Sequence, residues 1–203
     1  MALTAQDKIL HVANKLGLTT LGQMQGSTGA VYDVDTEFNG VIFGNASQHA
    51  NPALTNLNDN RFEVNEALLV ESIAFFSRNG AVGNYRNFQT SYGSNSVIVF
   101  DLVIGNKTVM KDTPIFGAGM PYTFATAGTT DTAIVTELES VLLPRHQVFM
   151  EGAGILIPPQ VDFSINYRIF DVVTGAQIPQ VAEIKLGAYL FGTRVLLNFN
   201  TSI

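Results

Sequence analysis

ILIPPQVDFSINYRIF, residues 155–170, sets two adjacent prolines into a run of branched and aromatic side chains. Proline has no backbone N–H for a sheet ladder and fixes its own φ, so within sheets it is confined to strand ends, edges and bulges. The pair therefore marks a boundary. After it the chain alternates, with Val161, Phe163, Ile165, Tyr167 and Ile169 on one side and Asp162, Ser164, Asn166 and Arg168 on the other. That is the period of a strand with one buried and one wet face. The stretch reads as a short apolar strand (155–157), a rigid corner at Pro158 and Pro159, and a longer amphipathic strand. Where two sheets are stacked, such a break is where a strand bends or passes from one sheet to the other.

Working outward, the same signals recur. SVIVFDLVI (96–104) is apolar on both faces, and Gly105-Asn106 turns it into KTVM (107–110). FEVNEALLVESIAFF (62–76) reads as a strand or strand pair, with a helix competing because Glu, Ala and Leu fill its middle. Residues 117–136 are rich in Gly, Ala and Thr and read as a long loop with one strand. VLLPRHQVFM (141–150) and AEIKLGAYLFGTRVLLNFN (182–200) complete a series of strands separated by Gly-containing turns. Parallel sheets need crossover helices, and none is predicted after residue 80. The expected fold is mainly β: an antiparallel sandwich or jelly roll over 61–203, with a short helix and an extended arm over 1–60.

Within 1–60 the one helix signal is residues 4–16. Thr4 and Asp7 form a capping-box pattern with Asp in place of Glu, Ile9, Val12, Ala13 and Leu16 make one apolar stripe, and Gly17 is the stop. So short a helix must dock on something. AVYDVDTEF, Asn39-Gly40 and VIF read as a tight hairpin, and GNASQHANPALTNLNDN (44–60) as an arm or long loop.

The chain has 203 residues, no cysteine, 46% hydrophobic and 14% charged residues, and a net charge of −6. This is a core-forming composition without disulfides or thiolate sites. It offers no basic footprint for phosphates, so direct nucleic-acid binding is not expected. The start lacks a basic segment followed by an apolar run, and no stretch of about 18 apolar residues occurs, so neither conventional export nor a membrane span is expected. Three Asn-x-Ser/Thr triplets, at Asn45, Asn106 and Asn200, are then chance matches. A weakly charged, apolar surface instead suggests large contacts with other chains.

No chemical motif stands out. His11, His49 and His146 have no metal-site spacing, and His146 with Glu151 is the nearest approach to a pair. Asp33, Asp35 and Glu37 alternate, which puts three carboxylates on one strand face as either a cation site or a solvated face. GxSxG, SxxK, GxGxxG and the phosphate-loop pattern are absent, and nothing points to paired catalytic acids. With no Trp in the chain, Tyr85, Tyr92 and Tyr122 are the candidates for a sugar-stacking platform. Neither catalysis nor a cofactor or metal is expected.

VLLPRHQVFMEGAGILIPPQVDFSINYRIF (141–170), followed by the apolar C-terminal strand pair, resembles the jelly-roll structural proteins of virus particles, particularly those of bacteriophages. The resemblance implies a virion-located capsid, vertex or head-decoration subunit, assembled in the host cytoplasm, whose partners are copies of itself and other virion proteins. Residues 1–60 carry only Lys8, Lys15 and no cluster of basic residues, unlike arms that bind packaged genome, which favours an outer-shell or vertex position. Ile9, Val12 and Leu16 are the candidate assembly contacts. The alternatives are a glycan-binding module of a phage fibre and a cupin-like or hydrolytic sandwich enzyme.

Overall fold

The structure, a computed structural model, describes residues 4–18, 24–44, 52, 54–79, 85–86, 92, 95–116, 122–125, 135–138, 147–149, 154–181 and 184–197. Among the described residues there are one helix, α1 (Ala5–Leu16), and thirteen strands: β1 (Gln25–Val34), β2 (Val41–Ile42), β3 (Glu66–Asn79), β4 (Tyr85–Arg86), β5 (Ser96–Ile104), β6 (Lys107–Phe116), β7 (Tyr122–Ala125), β8 (Val135–Leu138), β9 (Gln147–Phe149), β10 (Ile155–Ile157), β11 (Phe163–Asp171), β12 (Gln177–Ile178) and β13 (Ile184–Leu196). All pairings are antiparallel.

Two sheets make the body. The first runs β1-β13-β3, and the far edge of β3 is lined end to end by β10, β9 and β4. The second runs β11-β5-β6, with β12 and β2 along the far edge of β11. Setting aside β4, β9, β12 and the separate β7-β8 pair leaves eight principal strands. In chain order they lie 1-8-3-6 in one sheet and 2-7-4-5 in the other. This is the double Greek key of a jelly roll.

The proline corner is the passage between the sheets. β10 pairs with β3 in the first sheet and β11 with β5 in the second, so the chain changes sheet across residues 158–162. Gln160 takes a positive φ of 57° there, and its backbone N–H donates to Phe62 O at 3.0 Å. Along β11, Phe163, Ile165, Tyr167 and Ile169 are buried while Asn166 and Arg168 are exposed, the alternation expected from sequence.

Apolar side chains from both sheets meet between them. Leu68, Val70, Ile73 and Phe75 of β3 meet Ile98, Phe100 and Leu102 of β5 and the inward face of β11 in one apolar cluster. Phe75 and Phe100 touch across the layers with centroids 5.2 Å apart, and Phe62 stacks on Phe163 at 5.4 Å. At roughly 1.5–3 kcal/mol for each large apolar side chain fully buried, this cluster is the main favourable term of the fold.

Residues 62–76 resolve into the single long strand β3 and its approach; the helix alternative is not adopted. The sandwich also begins well before residue 61, because β1 and β2 are integral strands of the two sheets. The Asn39-Gly40 signal requires a correction. It does not close a hairpin: β1 pairs with β13 while β2 pairs with β11, so the turn carries the chain from one sheet to the other. Gly40 has φ 80°, as such a turn needs, but Asn39 is not left-handed and Phe38 is, at 55°.

Candidate assembly surface

α1 forms as its sequence dictates. Thr4 Oγ1 accepts from the Asp7 backbone N–H at 3.2 Å, and the Asp7 carboxylate accepts from Thr4 N at 3.0 Å. Donation to that carboxylate from the Thr4 hydroxyl, at 2.6 Å, and then from the Thr4 backbone N–H holds the Asp7 carboxyl below its ordinary value. At the other end Gly17 takes the left-handed conformation, φ 69°.

The helix docks on the outer face of the chain's own first sheet. Val12 is fully buried there with Ala67, Leu69, Val195 and Leu197, and Leu16 packs at the margin. Ile9, half-buried, lies over Gly26 of β1; a Cβ at Gly26 would come within 2.9 Å of it. The three residues singled out by spacing therefore fix where α1 lies on this subunit.

A bulge secures the contact. Between Val70 and Ser72 the β3–β13 register shifts, leaving Glu71 as an extra residue. Its carboxylate takes Lys8 Nζ at 2.8 Å and the Thr193 hydroxyl at 2.7 Å. Bulges re-aim side chains in this way, and no local pattern announces this one.

The three carboxylates of residues 33–37 do not share one solvated face, and of them only Glu37 is exposed. Asp33 and Asp35 are both almost fully buried. Asp33 Oδ2 accepts from Phe43 N at 2.6 Å. Asp35 accepts backbone N–H bonds from Glu37, Asn39 and Gly40 and the Tyr167 hydroxyl at 2.9 Å. The pair thus organises the corner between β1 and β2. Burial, and then the Asp35 charge, push the Tyr167 hydroxyl far above its ordinary range. Among the described residues no group of three His, Asp or Glu is placed to hold a metal ion. His11 is half-buried on α1, whereas His49, His146 and Glu151 lie outside the described residues.

Tyr92 is no open stacking platform. Its ring packs against the main core and its hydroxyl donates to Ile184 O at 3.2 Å, and burial raises its pKa. The side chains of Tyr85 and Tyr122 lie outside the described residues. A shallow cleft of about 250 Å³ on the second sheet is lined by Val41, Asn60, Val103, Asp162 and Ser164, among others.

The edges of the two sheets differ in how they are closed. Along half of β1, Asn56 imitates a neighbouring strand: its amide oxygen accepts from Tyr32 N and its amide nitrogen donates to Ala30 O, each at 2.8 Å. Its own backbone N–H donates to Tyr32 O at 3.3 Å, and the Thr55 hydroxyl adds a bond of 3.1 Å to the same carbonyl. The Asn-rich segment read as an arm thus includes a strap over the sheet's edge. Among the described residues no helix is long and apolar enough to cross a membrane.

The strand order and docked helix define the class, a jelly-roll β-sandwich, as far as geometry alone can. No family model, no curated protein and no solved structure matches the chain.

Proposed function

We propose that this chain is a virion structural protein, a capsid, vertex or head-decoration subunit that works by assembling with copies of itself. The observation that carries the proposal is the jelly-roll strand order combined with a large apolar cluster between the sheets. The same architecture serves viral shells, lectins and cupins. A cupin-type enzyme needs ligating or reactive groups inside its barrel, and here that space is taken by Phe75, Phe100, Ile165 and their neighbours. A lectin needs an exposed recognition platform, and Tyr92 is spent on the core. What remains for function is the outer surface: the capped first sheet, the edges and the loops.

In this role Ile9, Val12 and Leu16 act by holding α1 as a fixed part of the surface offered to neighbours, and the particle is the place where the protein works. The test is electron microscopy of the purified chain over a range of protein and salt concentrations. Rings, sheets or closed shells of regular repeat are expected. Dispersed single subunits under every condition, together with a specific hit on a glycan array, would transfer the assignment to the fibre-module alternative.

A further inference from the structure

We infer that the first half of β1, Gln25–Gly29, is a docking edge that pairs antiparallel with the same segment of a second copy, about a two-fold axis through Ser27. The inference rests on the assembly role proposed above and names the surface that carries it.

Every sheet edge is a row of backbone donors and acceptors that would template another strand unless guarded by brevity, charge, proline, a bulge or a cover. Of the four edges of the two main sheets, three are guarded. The β10, β9 and β4 row and the β12 and β2 row are built of strands two or three residues long. β6 is long, but it carries exposed Lys107, Lys111 and Asp112, a bulge at Asp112 with φ 47°, and Pro114. On β1 the Asn56 strap covers residues 30–32, and among the described residues no cover reaches 25–29.

The backbone N–H and C=O groups of a strand residue point to the same side, and the side alternates. Tyr32 turns its pair outward to Asn56, and the β1–β13 register runs unbroken from Gln25 to Val34, so Gly26 and Thr28 also turn theirs outward. Among the described residues nothing hydrogen-bonds those four groups. The segment Gln25-Gly26-Ser27-Thr28-Gly29 contains no charge and no proline, and all five residues are exposed or half-exposed.

The segment is also self-complementary. With Ser27 opposite Ser27 of the second copy, Gly26 faces Thr28 in two hydrogen-bonded pairs, and all four outward groups of each copy are satisfied. Such an isologous contact is the commonest way for identical chains to meet, and strand addition at an open edge is an established mode of recognition. Gly26 and Gly29 offer no side chain to obstruct the approach.

The test uses sedimentation velocity on the full chain. Thr28→Pro removes an N–H that no described residue of the subunit uses, at an edge position where proline is tolerated. It is expected to weaken association at least about tenfold, with circular dichroism and melting temperature unchanged. Thr28→Lys, which keeps the N–H but guards the edge with charge, is expected to do the same and serves if the proline variant does not fold. Ser27→Cys supplies a direct readout, because the chain has no cysteine of its own. Facing residues of a non-hydrogen-bonded pair stand about 4.5 Å apart at Cα, within disulfide range, so a disulfide-linked dimer should form on mild oxidation. If wild type associates while a folded Thr28 variant associates as tightly, or Ser27→Cys stays unlinked within the associated state, the pairing is wrong and the assembly role stands. If wild type does not associate at all, the assembly role falls and the pairing with it.

Discussion

A methyl group at position 192 would place its carbon 1.8 Å from Leu69 O and 2.8 Å from the carbonyl carbon behind it. Both are backbone atoms of β3 beside the Glu71 bulge, so neither can step aside. Gly192→Ala is therefore expected to cost about 3 kcal/mol or more, read as loss of soluble protein or a large fall in urea midpoint; a wild-type midpoint would show that the bulge is not as close as drawn. At the opposite end, Asp35→Asn keeps the shape but turns an acceptor of several N–H bonds into a group that is half donor. A loss of about 1–3 kcal/mol is expected, measured by urea unfolding at pH 7. Tyr167 gives the pH dependence. Its folded-state pKa is raised above the ordinary 10.0, so the neutral form is favoured in the folded protein. The stability this contributes is complete below pH 10 and declines as pH climbs above it, because the unfolded chain loses the proton first. Unfolding free energy should fall with pH above 10, and less steeply in Tyr167→Phe, which has no proton there to lose. Equal slopes would remove Tyr167 from the account.

Among the elements, those set by their own residues were the most legible. β11 announced itself through alternation and the prolines before it, and α1 through Thr4, Asp7, its stripe and Gly17, because caps and periods are short-range chemistry. The β1–β2 connection misled for the same reason. Asn39-Gly40 does supply a turn, but which strand each arm pairs with is decided by distant partners, Leu186 O receiving Asp35 N at 2.8 Å and the Tyr167 hydroxyl bonding Asp35. The Asn56 strap and the Glu71 bulge left no trace in sequence either, since each matters only through a strand far away in the chain. The spacing picked out Ile9, Val12 and Leu16, which pack α1 on the chain's own first sheet, but gave no sign of the neighbouring edge, which is defined by the lack of a partner among the described residues. Element-scale expectations follow. Removing residues 1–20 uncovers Ala67, Leu69, Val195 and Leu197 but leaves the main core between the sheets intact. The truncated chain should keep its β circular dichroism, melt lower and bind a dye specific for exposed apolar surface; a cooperative melt identical to wild type would mean that α1 contributes nothing where it lies. Asn56→Ala deletes both strand-like side-chain bonds at the β1 edge and should lengthen the open edge, read as faster thermal aggregation. Unchanged aggregation would show that the strap guards nothing.

For the whole molecule, architecture narrows function without choosing it alone. A jelly roll can enclose a site or simply be a brick. The apolar cluster between the sheets, the β1–β2 corner tied by buried carboxylates, the helix sealed on the outer face and an edge segment that no described residue guards all favour the brick, with association between copies as its activity. The net charge of −6 supplies no overall positive field for a genome's phosphates. Native mass spectrometry of the unmodified chain across rising concentration tests this most directly. A ladder or a single closed oligomer above the 21.9 kDa subunit is the expected result; a species that stays at the subunit mass at the highest attainable concentration would contradict it.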